Sequence, residues 1–192
     1  MAVTDGPFLW YLNRGSGLVL LALLTSSALM GMWATRGDAG TRVPRFAIQA
    51  LHRNLALLGV VMTVVHVASA VTDEYVDIRW WQSVLPWHLA YRPLWLALGV
   101  VALDLLLAAV LTSLVREHLP RRAWLVVHLG VYLVLALAFA HGLGIGTDTG
   151  EGWARWTYVV CGVALVAAGV ARVVDARRRS RLTPRELEVV TR

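Results

Sequence analysis

Four histidines fall within long apolar stretches of this 192-residue chain, where ionisable side chains are rare and costly. His52 and His66 have i, i+14 spacing on one stretch, and His128 and His141 have i, i+13 spacing on another. If both stretches are helices that run in the same direction, the two pairs sit at two depths about 20 Å apart. Opposed imidazoles from facing helices are the axial ligands that a low-spin b-type haem needs. The histidines therefore predict two haem sites, one between His52 and His128 and one between His66 and His141.

A zinc or copper ion is the alternative to haem as the group that these histidines bind. The separation of about 20 Å prevents all four side chains from sharing one metal ion, and two-histidine sites without carboxylates would bind metal weakly. The two spacings differ in the helix face that they reach. In a regular α-helix, His66 would lie within about 40° of the face of His52, whereas His141 would lie about 140° away from the face of His128. The helix with the i, i+13 spacing must cross at an angle, contain a bulge near Gly130 or Gly142, or direct its ligands to different sides.

The composition is that of a membrane protein. Residues of the set AVILMFWYC make up 58% of the chain and charged residues 16%, which excludes a disordered chain and argues against a soluble domain. The single cysteine, Cys161, excludes an intramolecular disulfide and any multi-cysteine zinc or iron–sulfur site. All 18 basic residues are arginines, and most of them flank apolar runs, so the net charge of +6 predicts no nucleic-acid partner.

Five apolar stretches are long enough to cross a lipid bilayer, which takes about 20 residues for a helix. They predict an all-α integral membrane protein, a haem-binding bundle with spans at about Trp10–Trp33, Phe46–Val71, Pro93–Val115, Ala123–Leu143 and Trp156–Val174. Residues 1–175 would form this membrane domain, and residues 176–192 a basic cytoplasmic tail.

The arginines also predict the orientation of the bundle. The loops after the first and third spans and the tail are basic, whereas the other two loops are acidic or neutral. The positive-inside rule then places the N-terminus outside and the C-terminus in the cytoplasm. On this basis His52 and His128 form the inner pair and His66 and His141 the outer pair. The N-terminus carries Asp5 and no basic segment, so a cleavable signal peptide is not predicted.

Arginines at both levels are candidate partners for haem propionates, which are anions. Arg53, Arg121 and Arg122 are the candidates at the inner side, where positive-inside topology alone also explains them. Arg14 is the candidate at the outer side, with snorkelling to lipid headgroups as the alternative. Asp104 lies in the middle of the third span and either bonds another helix or takes part in proton movement.

Other polar and aromatic residues lie near the predicted inner ligand. Trp124 and Tyr132 would shield a haem edge or simply pack at the interface. Thr112 and Ser113 would bond the backbone or the second nitrogen of a ligating histidine.

The loop between the second and third spans is rich in tryptophan and is expected to lie on the outer surface as a short interfacial segment.

The chain resembles the ferric reductase-like transmembrane domain family over about residues 8–175. The similarity is carried by LWYLNRGSGLVLL, LHRNLALLGVVMTVVH, YRPLWLALGVVALDLLLAAVLTSLVR and AWLVVHLGVYLVLALAFAHGLGIGTDTG. The paired histidine spacing is the specific part of the match. The family includes the membrane cores of ferric reductases and NADPH oxidases, and the haem-binding membrane subunit of a bacterial periplasmic methionine-sulfoxide reductase system. The chain looks closest to compact, stand-alone bacterial members.

The resemblance implies two haem b groups, ligated by His52 and His128 at the inner level and by His66 and His141 at the outer level. It implies electron flow from a cytoplasmic flavin or nicotinamide donor to an extracytoplasmic acceptor, either ferric ion or a partner reductase. The tail lacks a Gly-rich nucleotide-binding loop. A separate flavoprotein is therefore expected, with the chain in the bacterial inner membrane as a haem-containing oxidoreductase subunit that binds no flavin itself.

One departure from the family concerns oxygen. Oxidase members often carry a further histidine one turn after the outer ligand of the second span, where this chain has Ala70, which argues against a dedicated oxygen-reducing role. Two other classes of function remain open. One is a haem-based membrane sensor or regulatory subunit without turnover, and the other is a non-haem transporter that uses histidines as proton relays.

Overall fold

The computed structural model describes residues 7–35, 43–73, 76, 78–89 and 91–180, and all regular structure in these segments is helical. The six α-helices are α1 (Phe8–Ala34), α2 (Arg45–Thr72), α3 (Pro93–Leu114), α4 (Arg121–Leu129), α5 (Val131–Ile145) and α6 (Gly152–Arg179). Five helical stretches within the described residues are long and apolar enough to cross a membrane, with α4 and α5 together making the fourth. The predicted all-α fold with five spans is therefore confirmed.

Prolines mark four of the helix starts. Pro7, Pro44 and Pro120 immediately precede α1, α2 and α4, and Pro93 is the first residue of α3. Proline suits these positions because its fixed φ angle is helical and the N–H that it lacks has no intrahelical partner there. At the other end of the chain, α6 continues to Arg179 and so includes the start of the predicted basic tail. Residues 181–192 lie outside the described part of the chain.

The helices pack in two groups joined by α1. α1 lies along α2 and also contacts α5 and α6, whereas α3 packs against α4 and α5. The buried cluster at the centre consists of Leu24 and Ala28 of α1 and Leu135 of α5. Many outward-facing leucines and valines of α2 and α6 are exposed, as expected for side chains that contact lipid.

A gap separates α2 from the fourth span. Among the described helices, α2 has no interface with α4 or α5 comparable to its interface with α1. A cavity of about 260 Å³ lies within the bundle at the level of His66 and His141, with walls from α1, α2, α3, α5, the start of α6 and the loops at that end of the bundle. The bundle is therefore open between the two helical elements that carry the four histidines.

The fourth span is interrupted at Gly130, which separates α4 from α5. The Gly130 N–H donates to the carbonyls of both Val127 (3.0 Å) and Val126 (3.2 Å), so the turn is tightened locally. A Cβ at this position would lie 2.9 Å from the Val127 carbonyl oxygen, which explains why glycine occupies it. This interruption is one of the distortions that the i, i+13 spacing of the histidines predicts.

The loop between α2 and α3 contains a short 3-10 turn, Trp80–Ser83. The buried Gln82 side chain accepts a bond from the Arg79 N–H (2.9 Å) and donates to the His88 carbonyl (2.8 Å), and so closes the loop on itself. Trp80 and Trp87 remain exposed. Their exposure suits the predicted interfacial position, because tryptophan is favoured at the headgroup level of a bilayer.

Candidate functional site

The structure brings the four histidines together in the two predicted pairs. The ring centroids of His52 and His128 are 6.1 Å apart, and those of His66 and His141 are 6.3 Å apart. A metal–imidazole bond is about 2 Å long and the ring centre lies about 1.1 Å behind its nitrogen, so two imidazoles on opposite sides of one metal ion have centroids roughly 6.2 Å apart. Both pairs therefore have the spacing of two axial ligands on a single iron.

Hydrogen bonds from Nδ1 orient three of the four imidazole rings. Each donates to a backbone carbonyl of a neighbouring helix: His52 to Ser27 (2.8 Å), His66 to Asn13 (3.0 Å) and His141 to Trp95 (2.8 Å). Because a carbonyl oxygen only accepts, Nδ1 carries the proton and Nε2 keeps the lone pair. The three rings are thus held in the tautomer that ligates a metal through Nε2.

The same three rings pack against a glycine that lies one turn after the carbonyl residue. A Cβ would lie 3.1 Å from the His66 ring at Gly17, 3.3 Å from the His52 ring at Gly31 and 2.5 Å from the His141 ring at Gly99. In an α-helix, residue i+4 stands over the carbonyl of residue i, so a side chain there would cover the oxygen. We call each such pair of carbonyl i and glycine i+4 a carbonyl–glycine cradle.

His128 is oriented differently from the other three histidines. Its Nδ1 is buried and has no hydrogen-bond partner among the described residues. Its ring instead stacks on Trp124, with centroids 4.8 Å apart and planes 22° apart. The Trp124 indole N–H donates to the Ser113 hydroxyl (3.3 Å), and the Arg116 guanidinium lies 4.5 Å from the Trp124 ring. Trp124 therefore orients the His128 ring by stacking on it.

Arg14 lies in the wall of the cavity beside the outer pair. Its guanidinium forms an ion pair with Asp148, from the loop between α5 and α6, and lies 3.8 Å from the Trp10 ring centroid. A cation at this depth is suitably placed for an anionic group in the cavity. Its role as a propionate partner stays a prediction.

The three inner arginines have exposed side chains. Arg53 follows His52 on α2, and Arg121 and Arg122 occupy the first turn of α4. The structure thus places them at the end of the bundle that holds the inner pair, and their contact with propionates stays a prediction. Asp104 is partly buried on α3, and Tyr132 is exposed on α5.

The cradles were not identified from the sequence, although α1 contains a signal for two of them. Gly17 and Gly31 have the same i, i+14 spacing as His52 and His66 on the neighbouring helix. Because α1 and α2 run antiparallel, each glycine meets one histidine and the order is reversed, with Gly17 against His66 and Gly31 against His52. Matched spacings of glycine and histidine on adjacent apolar stretches therefore indicate ring-to-backbone packing.

A conventional metal site is not present in the part of the chain that the structure describes, where no group of three or more His, Cys, Asp or Glu side chains is placed to hold an ion. Each imidazole pair stands alone. Two opposed nitrogens are sufficient for haem, because the porphyrin supplies the other four ligands of the iron, whereas zinc needs three or four ligands from the protein.

Comparison with known families supports the relationship that the paired histidines indicate. The family described as ferric reductase like transmembrane component matches residues 16–139, about two thirds of the chain. The matched segment includes His52, His66 and His128 and ends just before His141. No significant match was found among curated proteins or among solved structures. The chain is thus a multi-pass membrane protein that belongs to the ferric reductase-like transmembrane component family.

Proposed function

We propose that this chain carries electrons across a membrane through two b-type haems, one between each imidazole pair. Membership of the family points to transmembrane electron transfer. The observation that most supports the two-haem form is the centroid separation of 6.1 Å and 6.3 Å in the two pairs. The two levels are about 20 Å apart along the helices, so together they bridge much of a hydrocarbon core about 30 Å thick.

The chain's own residues hold, orient and insulate the two sites. His52 and His128 would ligate the inner iron, and His66 and His141 the outer iron. Bound haem would supply a one-electron Fe(III)/Fe(II) couple at each level. The carbonyl that accepts each Nδ1–H fixes the ring and makes the imidazole a stronger electron donor. The wall of the cavity beside the outer pair is mostly apolar, which would lower the local dielectric around the outer site.

The proposed donor is a separate cytoplasmic flavoprotein that takes electrons from a nicotinamide. The proposed acceptor is ferric ion or a partner reductase on the outer side of the bacterial inner membrane. The arginine-rich end of the bundle, which includes Arg121 and Arg122, supports a cytoplasmic location for the inner pair.

The contacts of the histidines argue against a proton relay, the transporter hypothesis. The shortest Nδ1 contact of three of the four rings is with a backbone carbonyl, which accepts a hydrogen bond but has no proton to pass on. The Ser27 hydroxyl also lies 3.1 Å from His52 Nδ1, but among the described residues the Nδ1 contact of His141 is with the Trp95 carbonyl. A relay through both pairs would therefore lack a proton-exchanging partner at His141.

The ratio of haem to polypeptide in the purified protein tests the proposal most directly. We expect a ratio of about two and the sharp reduced-state bands of bis-imidazole haem. In vesicles, a flavoprotein on the cytoplasmic face should reduce the haems, and an impermeant acceptor on the other face should reoxidise them. A ratio of zero would refute the proposal and a ratio of one would refute its two-haem form. Reduction without reoxidation would favour the sensor hypothesis.

Replacement of Arg14 with alanine should lower the midpoint potential of the outer haem. The change removes a cation beside the site and leaves the carboxylate of Asp148 unpaired, and both effects destabilise the added electron. Loss of one charged hydrogen bond is worth about 1.5 kcal/mol, which corresponds to roughly 60 mV for a one-electron couple. A redox titration measures the shift, with the exposed Arg155→Ala as control. If Arg14→Ala keeps the wild-type midpoint potential and haem content, Arg14 does not interact with the outer haem.

A further inference from the structure

We propose that His128 is the replaceable ligand of the inner site, and that a small neutral ligand of the carbon monoxide type binds the inner iron in its place. This inference rests on the proposed two-haem function. Among the four paired histidines, His128 is the one whose Nδ1 lacks a hydrogen-bond partner among the described residues.

The sequence of α3 explains why His128 Nδ1 has no carbonyl partner in the described part of the chain. His141 rests on the cradle of Trp95 and Gly99, and His128 precedes it on the fourth span, which runs antiparallel to α3. The carbonyl of a cradle for His128 is therefore expected at i+13 or i+14 from Trp95. That register contains two pairs with i, i+4 spacing, Ala108 with Thr112 and Ala109 with Ser113.

Both pairs have a hydroxyl side chain where a cradle needs glycine. The Thr112 hydroxyl donates to the Ala108 carbonyl (2.7 Å), and the Ser113 hydroxyl donates to the Ala109 carbonyl (2.6 Å). Each hydroxyl occupies the oxygen that a histidine would use, and each Cβ covers it. The His128 Nδ1–H therefore finds no carbonyl, although a site of the right register faces α4.

The stack on Trp124 orients the His128 ring but supplies no acceptor for its Nδ1–H. Without that acceptor the imidazole is a weaker donor to iron than a ring in a cradle. The inner iron would thus have one strong ligand, His52, and one weaker ligand, His128. The outer iron would have two ligands held in cradles.

The backbone also allows His128 to move away from the iron. His128 is the penultimate residue of the short helix α4, and the break at Gly130 separates it from α5. A small rotation of α4 about this glycine can withdraw the ring while α5 and His141 stay in place. Carbon monoxide binds ferrous iron when one axial nitrogen leaves, without a change in oxidation state, so it reports such an opening.

The test is carbon monoxide binding to the purified, haem-loaded, reduced protein, followed by absorption spectroscopy. We expect one of the two haems to bind it. Trp124→Leu should raise the association rate by roughly ten-fold or more, the lower end of the effect usual for residues that support a metal ligand. Trp124→Phe keeps an aromatic ring beside His128, so this variant should bind carbon monoxide at about the wild-type rate. Trp156→Leu, which replaces an exposed tryptophan on α6, should leave the rate unchanged.

A variant that lacks the outer site assigns the level. His66→Ala should retain the carbon monoxide-binding haem if that haem is the inner one, and loss of binding in this variant would overturn the inference. Two haems that are both inert to carbon monoxide, or an equal response in Trp156→Leu, would also overturn it while the proposed function stands. Loss of inner haem in Trp124→Leu, but not in Trp124→Phe, would support it. A wild-type protein without haem would refute the proposed function instead.

Discussion

Replacement of His66 with alanine should reduce the haem content from about two per chain to about one and abolish electron delivery to an outside acceptor. Residues that only support a metal ligand change metal affinity by about 10–100-fold, so loss of the ligand itself should exceed about 100-fold. The remaining inner haem should still accept electrons from the cytoplasmic side. Haem quantification, the amplitude of the reduced bands and acceptor reduction in vesicles measure the three parts of this expectation.

His88 provides the matched control for this variant. It is an exposed loop histidine with a positive φ of 50°, and asparagine tolerates that backbone conformation. His88→Asn should therefore keep both haems and full electron transfer. If His66→Ala keeps two haems with unchanged spectra, the outer site is not formed by His66 and the assignment of both levels is wrong.

The number of membrane spans and their helical structure could be predicted from the sequence, because each apolar stretch is long enough for one spanning helix. Each span needs about 20 apolar residues, and the five stretches between Trp10 and Val174 match five helical segments in the structure. The pairing of the histidines could also be predicted, because alternate spans run in the same direction. Centroid separations of 6.1 Å and 6.3 Å in the two pairs agree with that pairing.

The interruption of the fourth span could be predicted only as one of several options. An i, i+13 spacing shows that a regular helix cannot direct His128 and His141 to one side. A tilted helix, a bulge in the helix and ligands directed to different sides are all compatible with this spacing. The choice of Gly130 depends on local backbone bonding, with its N–H shared between two carbonyls. Such a shared bond depends on backbone geometry that residue types alone do not specify.

The contacts that orient the rings could not be predicted, because the backbone groups involved carry no side-chain signal. The carbonyls of Asn13, Ser27 and Trp95 belong to the backbone, and any residue type supplies one. The glycines are visible in the sequence, but a glycine in a membrane helix has many uses. Only the register between neighbouring helices shows that three of them, Gly17, Gly31 and Gly99, each meet a histidine.

The cradles give the two levels different chemical character. Both outer ligands and His52 rest on a carbonyl and a glycine, whereas His128 rests on an aromatic ring. The Asn13 amide also donates to the His66 carbonyl (2.8 Å) and to the Ser69 hydroxyl (3.2 Å), which joins α1 to α2 at the outer level. The outer pair is therefore the more rigid of the two, and the inner pair is the one that can adjust.

Replacement of Gly99 with alanine should disrupt the outer site while the bundle still folds. The new Cβ would lie 2.5 Å from Nδ1 and 2.6 Å from Cε1 of His141, well inside van der Waals contact. The ring cannot simply turn away, because its Nδ1–H is bonded to the Trp95 carbonyl at 2.8 Å on the same face of α3. Overpacking of this kind costs about 1–3 kcal/mol, and here the strain falls on the ligand. Outer haem content and its reduced bands should therefore fall sharply.

Alanine substitutions at two other glycines serve as comparisons, because the added Cβ would lie farther from any histidine ring there. At Gly31 the Cβ would lie 3.3 Å from the His52 ring, a contact that a small shift of the ring relieves, so Gly31→Ala should weaken the inner haem only slightly. At Gly169 the new Cβ would have no atom within 4 Å among the described residues, apart from its chain neighbours and the backbone of its own helix, so Gly169→Ala should leave both haems intact and match wild-type yield. The loss of haem in the three variants, measured at equal protein, should thus increase in the order Gly169→Ala, Gly31→Ala, Gly99→Ala. An intact outer haem in Gly99→Ala would show that the His141 ring does not depend on its cradle, because the steric conflict there is the largest of the three.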